Sequence, residues 1–271
     1  MTDPIRLSIR HVTRYAYEPQ AVAAVMRLRL FPSGYEGQTV ESWQVTANDQ
    51  PIEPNFTDAA GVKEALWSCD GGISEVEVIA EGIVVRRQDQ GVVRGLKERA
   101  PAELFLRTTD LTATDTAIKD LASAARRSDT LETLHSLSAS VRDAVEYKPA
   151  STNMATSAAA ALEQGAGVCQ DHAHVFIAAA RSLGIPARYV AGYYVAGEGD
   201  DLTETHGWAE AFVEGLGWVG FDIANRTCPT QDHVRLICHL DAGRAAPVIG
   251  AIEGYAEETL TASVAIGQAQ Q

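Results

Sequence analysis

An α+β fold is predicted by three changes of rhythm along the 271-residue chain. The first third alternates apolar and polar side chains with a period of two. The stretch from about 115 to 182 repeats every three to four residues, and the chain then returns to alternation.

The opening run RLSIRHVTRYAY places Leu7, Ile9, His11, Thr13, Tyr15 and Tyr17 on one side and Arg6, Ser8, Arg10, Val12 and Arg14 on the other, as a half-buried strand requires. Extended runs follow in AVMRLRLFP, ESWQVTA, VKEALWS and SEVEVIAEGIVVRR, separated by PSG, NDQP, DAAG and DGG, which read as turns. This spacing predicts a β-rich, sandwich-like N-terminal domain over residues 1–100, its last strand ending near residue 95. The remainder, 101–271, is expected to pack helices on an antiparallel sheet.

Helical periodicity begins in TDTAIKDLASAARR and continues in SDTLETLHSLSASVRDAVEY, where Asp129 and Glu132 resemble a capping box and Leu131, Leu134, Leu137, Val141 and Val145 share a side. A short helix, TSAAAALEQG, ends at Gly165 as a left-handed cap. The next helix starts at Cys169 and stops at LGIP. Strands PARYVAGYYVA, HGWAEAFV and GWVGFDIA follow, the last two joined by EGLG as a hairpin. Later runs HVRLICHLDA, APVIGAI and EETLTASVAI are expected to complete the same sheet.

The formal net charge of −14, from Lys+Arg 22 against Asp+Glu 36, argues against nucleic acid or an anionic membrane as partner. No apolar run is long enough to span a membrane, and MTDPIRLSIRH lacks the features of a secretory signal, so a cytoplasmic location is expected. The four cysteines have no CxxC spacing and read as free thiols. Cys228, Cys238, His233 and His239 follow no zinc-site spacing, so neither a metal nor a cofactor is expected.

Cys169, in GVCQDHAH, shares a helical course with Ala173, Phe176, Ile177 and Ala180, which fits a buried filler thiol. Its place in the first turn also fits a nucleophile. Unpaired N–H groups and the positive end of the helix dipole favour thiolate there and can hold an oxyanion. A nucleophile needs a base and an orienter. His206 opens one hairpin strand and Asp222 closes the other. A four-residue EGLG loop would set Asp222 opposite Ala209, out of reach of His206. A five-residue loop from Phe212 to Leu216, or a bulge, would set the two side by side.

The order Cys169, His206, Asp222 on helix, strand and next strand resembles the transglutaminase-like superfamily of papain-like cysteine enzymes. GVCQDHAHVFIAAARSLGIPARYVAGYY and HGWAEAFVEGLGWVGFD resemble its bacterial branch, and IRHVTRYAYEPQAVAAVMRLRLFPS is similar to the β-rich region that precedes the core there. The resemblance implies a papain-like fold with Cys169 as nucleophile, His206 as general base and acid, and Asp222 fixing the imidazole. It also implies a peptide or protein amide substrate and a peptidase or amidase. Transamidation to an amine and a non-catalytic peptide-binding module are the alternatives. Three departures stand out: His172 where an aromatic residue is usual, Gly207 in HGW where HAW is usual, and DIANR in place of DPTN. His172 is read as a neighbour able to tune the thiol, Asp171 as serving the helix start, and His174 as packing or surface. Trp208 and Trp218 are read as core.

Overall fold

The computed structural model describes residues 3–195 and 205–269. Its N-terminal part is one antiparallel sheet. Strand β1 runs without interruption over Ile5–Phe31, β2 over Gln38–Ala47 and β3 over Lys63–Arg86, in the order β1-β3-β2. The two-residue pieces Gln50–Pro51 and Phe56–Thr57 border it.

Period-two alternation holds along most of this run: Leu7, Ile9, His11, Thr13, Tyr15 and Tyr17 are all buried and Ser8, Arg10 and Arg14 exposed, but Val12, expected on the outer side, is buried as well. The DGG sequence differs from its reading as a turn. Gly71 and Gly72 adopt positive φ within β3, and the pairing of β1 with β3 shifts register between Ala16 and Ala23. The glycines thus form an irregularity that bends two long strands together. Four expected strands are therefore two.

The core half contains β4 (Val92–Val93), α1 (Thr116–Ala125), α2 (Thr130–Ala144), α3 (Ala158–Gln164), α4 (Cys169–Ser182), β5 (Ala187–Tyr194), β6 (Thr205–Val213), β7 (Gly217–Phe221) and β8 (His233–His239). The five strands form an antiparallel sheet in the order β8-β5-β6-β7-β4. The caps follow the sequence: Asp115 accepts from Ile118 N–H (2.8 Å), Asp129 from Glu132 N–H (3.0 Å), and Gly165 closes α3 at φ 68°. Helix α4 departs from the one-faced expectation. Every residue from Gln170 to Arg181 is buried, because α1, α2, α3, β5 and β6 surround it.

The last two strands, β9 (Val248–Glu253) and β10 (Glu257–Gln268), do not complete the core sheet. They return to the N-terminal one and pair with β1, β10 along Leu7–Glu18 and β9 along Ala23–Leu28. Strand β1 leaves an entire edge open once β3 occupies the other, and two consecutive strands are needed to cover its length. No helix among the described residues is long and apolar enough to cross a membrane.

Candidate active site

The first turn of α4 is built by its neighbours in sequence. Asp171, fully buried, reaches back so that Oδ2 accepts from Val168 N–H (2.8 Å) and from Thr152 Oγ1 (2.5 Å). This satisfies one of the amides at the helix start and confirms the helix-stabilising reading of Asp171. His172 directs Nδ1 at Val168 O (2.8 Å) and Nε2 at Val145 O (2.9 Å), tying the end of α2 to the start of α4. His174 is buried, its Nε2 accepting from Ala242 N–H (3.0 Å), and burial pushes its pKa down to about 4. Cys169, partly exposed, stands as the first residue of the helix.

Opposite it lies the hairpin of β6 and β7, in a register that differs from both options weighed from sequence. Val213 pairs with Gly217 and Ala209 with Phe221, around a three-residue turn, Glu214–Leu216. Positive φ at Gly215 and Gly217 permits so tight a reversal. One step further along the ladder, Asp222 stands across from Trp208, two residues from His206. That parity puts Asp222 and His206 on the same face as diagonal neighbours, a separation of roughly 7 to 8 Å that an imidazole spans. No bulge is required. His206 Nε2 lies 2.8 Å from Asp222 Oδ2, and the Cys169 sulfur is close enough for its charge to act on the same ring.

Burial disfavours charge on His206, but the hydrogen bond to Asp222 and the negative charge of Asp222 and of Cys169 outweigh it, raising its pKa to about 10. Burial likewise opposes charge on Asp222, yet its hydrogen bonds to His206, His233 and Asn225 hold its carboxyl well below the usual range. The DIANR segment is braced by its own hydrogen bonds. Asp222 and Thr227 exchange both backbone hydrogen bonds (2.8 and 3.1 Å), and Asn225 Nδ2 donates to Asp222 Oδ2 (2.7 Å). The HGW sequence has a steric reason too: a Cβ on Gly207 would stand 2.0 Å from Tyr189 Oη.

Two residues escaped the sequence reading of the site. Asn225 is one, and His233 the other: its Nε2 lies 3.0 Å from Asp222 Oδ2. Tyr194 covers both imidazoles, its ring centroid 5.4 Å from His206 and 4.5 Å from His233. Trp208, buried as expected, stacks beside His206 and meets His233 edge-on. Trp218 is buried elsewhere, against Phe105 and Arg188.

Ligand atoms of His206, Asp222 and His233 lie within 4.8 Å of one another, a spacing a divalent ion accepts. The hydrogen bonds oppose that use. Thr230 N–H donates to His233 Nδ1 (3.1 Å), so a neutral His233 carries its proton on Nε2, the atom a metal would need bare. The set Cys228, Cys238, His233 and His239 forms no such cluster among the described residues.

Residues 119–223 match the transglutaminase-like superfamily, and residues 7–85 match the bacterial transglutaminase-like N-terminal region. An uncharacterised protein of Mycobacterium leprae is 26% identical over 275 residues, covering 96% of this chain and 98% of its own. An uncharacterised protein of Mycobacterium tuberculosis is 28% identical over 140 residues, 48% of this chain and 45% of its own. Among solved structures, a candidate cysteine protease from Cytophaga hutchinsonii superposes with a TM-score of 0.76 at 22% identity, over 100% of this chain and 92% of that one. That likeness carries the fold. The two family matches together take in well over half of the sequence, and the chain belongs to the transglutaminase-like superfamily, with the bacterial transglutaminase-like N-terminal region preceding its core.

Proposed function

We propose that the protein is a cysteine peptidase or amidase in which Cys169, His206 and Asp222 form the catalytic triad. The observation that carries this reading is that the Cys169 thiol, at the start of a helix, lies near enough to act on His206, whose Nε2 is held 2.8 Å from buried Asp222 Oδ2. With Nε2 engaged by the carboxylate, Nδ1 is the nitrogen left for the sulfur. The Cys169 sulfur, its proton on His206, attacks the amide carbonyl carbon, and the C=O electron pair moves onto oxygen. Cys169 N–H, with no partner inside the helix, donates to that oxyanion. As the C–N bond breaks, His206 delivers its proton to the departing amine, leaving a thioester. Water, deprotonated by His206, then attacks the thioester and the carboxylic acid departs, returning the sulfur and imidazole to their starting state.

The substrate class is a peptide or protein amide. Profiling with a peptide library tests the reading: Cys169→Ala should abolish product formation, a loss of at least about 10³-fold, without changing the thermal melt. Turnover near that of the wild type would overturn it. Adding a primary amine to the same assay separates hydrolysis from transamidation, since the amide product appears only if amine replaces water at the thioester.

A further inference from the structure

We propose that His233 is a positioning residue of this site: a neutral imidazole that shares Asp222 Oδ2 with His206 and thereby sets how strongly the carboxylate holds the His206 proton. This rests on the catalytic reading of Cys169, His206 and Asp222. His233 is 1% exposed and opens β8, where it pairs with Tyr194. Its tautomer is fixed from outside the site. Thr230 N–H donates to Nδ1 at 3.1 Å, so Nδ1 presents its lone pair and the ring's one proton sits on Nε2, donated to Asp222 Oδ2 at 3.0 Å. A second proton on Nδ1 would face the Thr230 N–H and could turn only toward Thr230 Oγ1, at a longer 3.4 Å.

The groups around it reinforce neutrality. Asp222, on the turn after β7, favours a charged ring, but His206 on β6 and Arg86 on β3 oppose it along with burial, and the balance lowers its pKa. Tyr194 on β5 and Trp208 on β6 add only ring faces and edges. Asp232, the preceding residue, is occupied with Thr230 Oγ1 (3.1 Å). His233 therefore remains a donor while His206 gains and loses its proton.

The oxygen that orients His206 thus accepts three hydrogen bonds: 2.8 Å from His206, 3.0 Å from His233 and 2.7 Å from Asn225. Each donor draws on the same negative charge, so His233 tempers the attraction between Asp222 and the His206 imidazolium. A proton held too tightly by His206 is slow to leave for the amine. Removing His233 should therefore raise the pH at which His206 deprotonates and slow proton delivery.

Alkylation of Cys169 by iodoacetamide across pH 4–11 tests this without any substrate. The wild type should show two rises in rate, the upper one reporting loss of the His206 proton. In His233→Leu that upper rise should move up by about one pH unit, and His233→Gln, which keeps an N–H donor, should restore most of the shift. A His233→Leu profile superimposed on the wild type overturns the proposal. A wild-type Cys169 that alkylates no faster than Cys69, Cys228 or Cys238 overturns the catalytic reading instead. If His233→Leu does not fold, ring ¹⁵N shifts of the wild type decide the matter. A neutral, Nε2-protonated His233 from pH 5 to 9 supports the assignment, and a charged or Nδ1-protonated ring refutes it.

Discussion

Asp222 shows most directly how single atoms shape the proposed site. Oδ2 takes three donors and Oδ1 accepts from Asn225 N–H (3.3 Å), so no position around the carboxylate is left for a donor of its own. Asp222→Asn would bring an NH₂ group against one of these donors in either orientation and remove the charge that supports imidazolium. A loss in kcat of roughly 10³ to 10⁴-fold is expected, with KM little changed, read from initial rates on a cleaved peptide. The pH dependence of stability follows from the same pair. His206 has a folded pKa of about 10, raised above its ordinary 6.5, so its contribution is complete below pH 6.5 and is lost as pH rises through about 10. Urea titrations should show this decline in the wild type and a smaller one in Asp222→Asn. That Cys169, His206 and Asp222 come close together was legible from sequence because each sits near the end of a recognisable element. His233 was not: it meets Asp222 only through the β5 and β8 pairing, which the sequence of neither strand specifies.

At the scale of the element, GVCQDHAH is a helix start whose parts hold one another. Asp171 closes on Val168 N–H and Thr152, and Gly167 gives it room: a Cβ on Gly167 would lie 2.6 Å from Asp171 Cβ and 2.8 Å from Oδ2. At the other end Arg181, buried in the last turn, donates to Phe105 O, Ala187 O, Leu240 O and Thr112 Oγ1, locking the helix to the core sheet. Gly167→Ala should displace Asp171, cost about 1–3 kcal/mol in a denaturant melt, and slow Cys169 alkylation because the first turn loses its anchor. An unchanged melt together with an unchanged alkylation rate would contradict this account. Helix α4 was legible in extent because its caps and its LGIP stop are local signals. Its burial on all sides was not, since His172, His174 and Arg181 read as polar until Val145, Ala242 and Phe105 supply their partners. The hairpin register turned on a single residue of loop length, and loop length was the least determined quantity in EGLG.

For the whole molecule, the decisive feature is that neither sheet is independent of the other. Strands β9 and β10 carry the end of the chain back to β1, and His11 Nδ1 meets Tyr193 Oη at 3.0 Å. Gln38 on β2 donates to Arg235 O (2.8 Å) and accepts from Arg235 N–H (2.8 Å) on β8. Behind that contact, buried Glu210 receives Arg188 and Arg235, each at 2.7 Å, and Arg188 continues to Glu98 at 2.7 Å. Burial opposes charge on Glu210, but Arg235 and Arg188 prevail and push its pKa down to about 2. Its contribution is therefore complete above its ordinary 4.5 and is lost as pH falls through about 2. Glu210→Ala would leave two buried guanidinium groups without their shared partner, a loss of roughly 3–5 kcal/mol. Because Arg235 is also the residue that Gln38 clasps, the damage should spread to both sheets. The wild type should unfold in one transition by tryptophan fluorescence and far-UV circular dichroism alike, Trp43 and Trp67 lying in the N-terminal sheet and Trp208 and Trp218 in the core sheet. Glu210→Ala should shift that single transition to lower denaturant and remove part of the stability lost between pH 4.5 and 2. Two separated wild-type transitions, or a Glu210→Ala midpoint equal to the wild type, would mean that the buried ions do not couple the sheets.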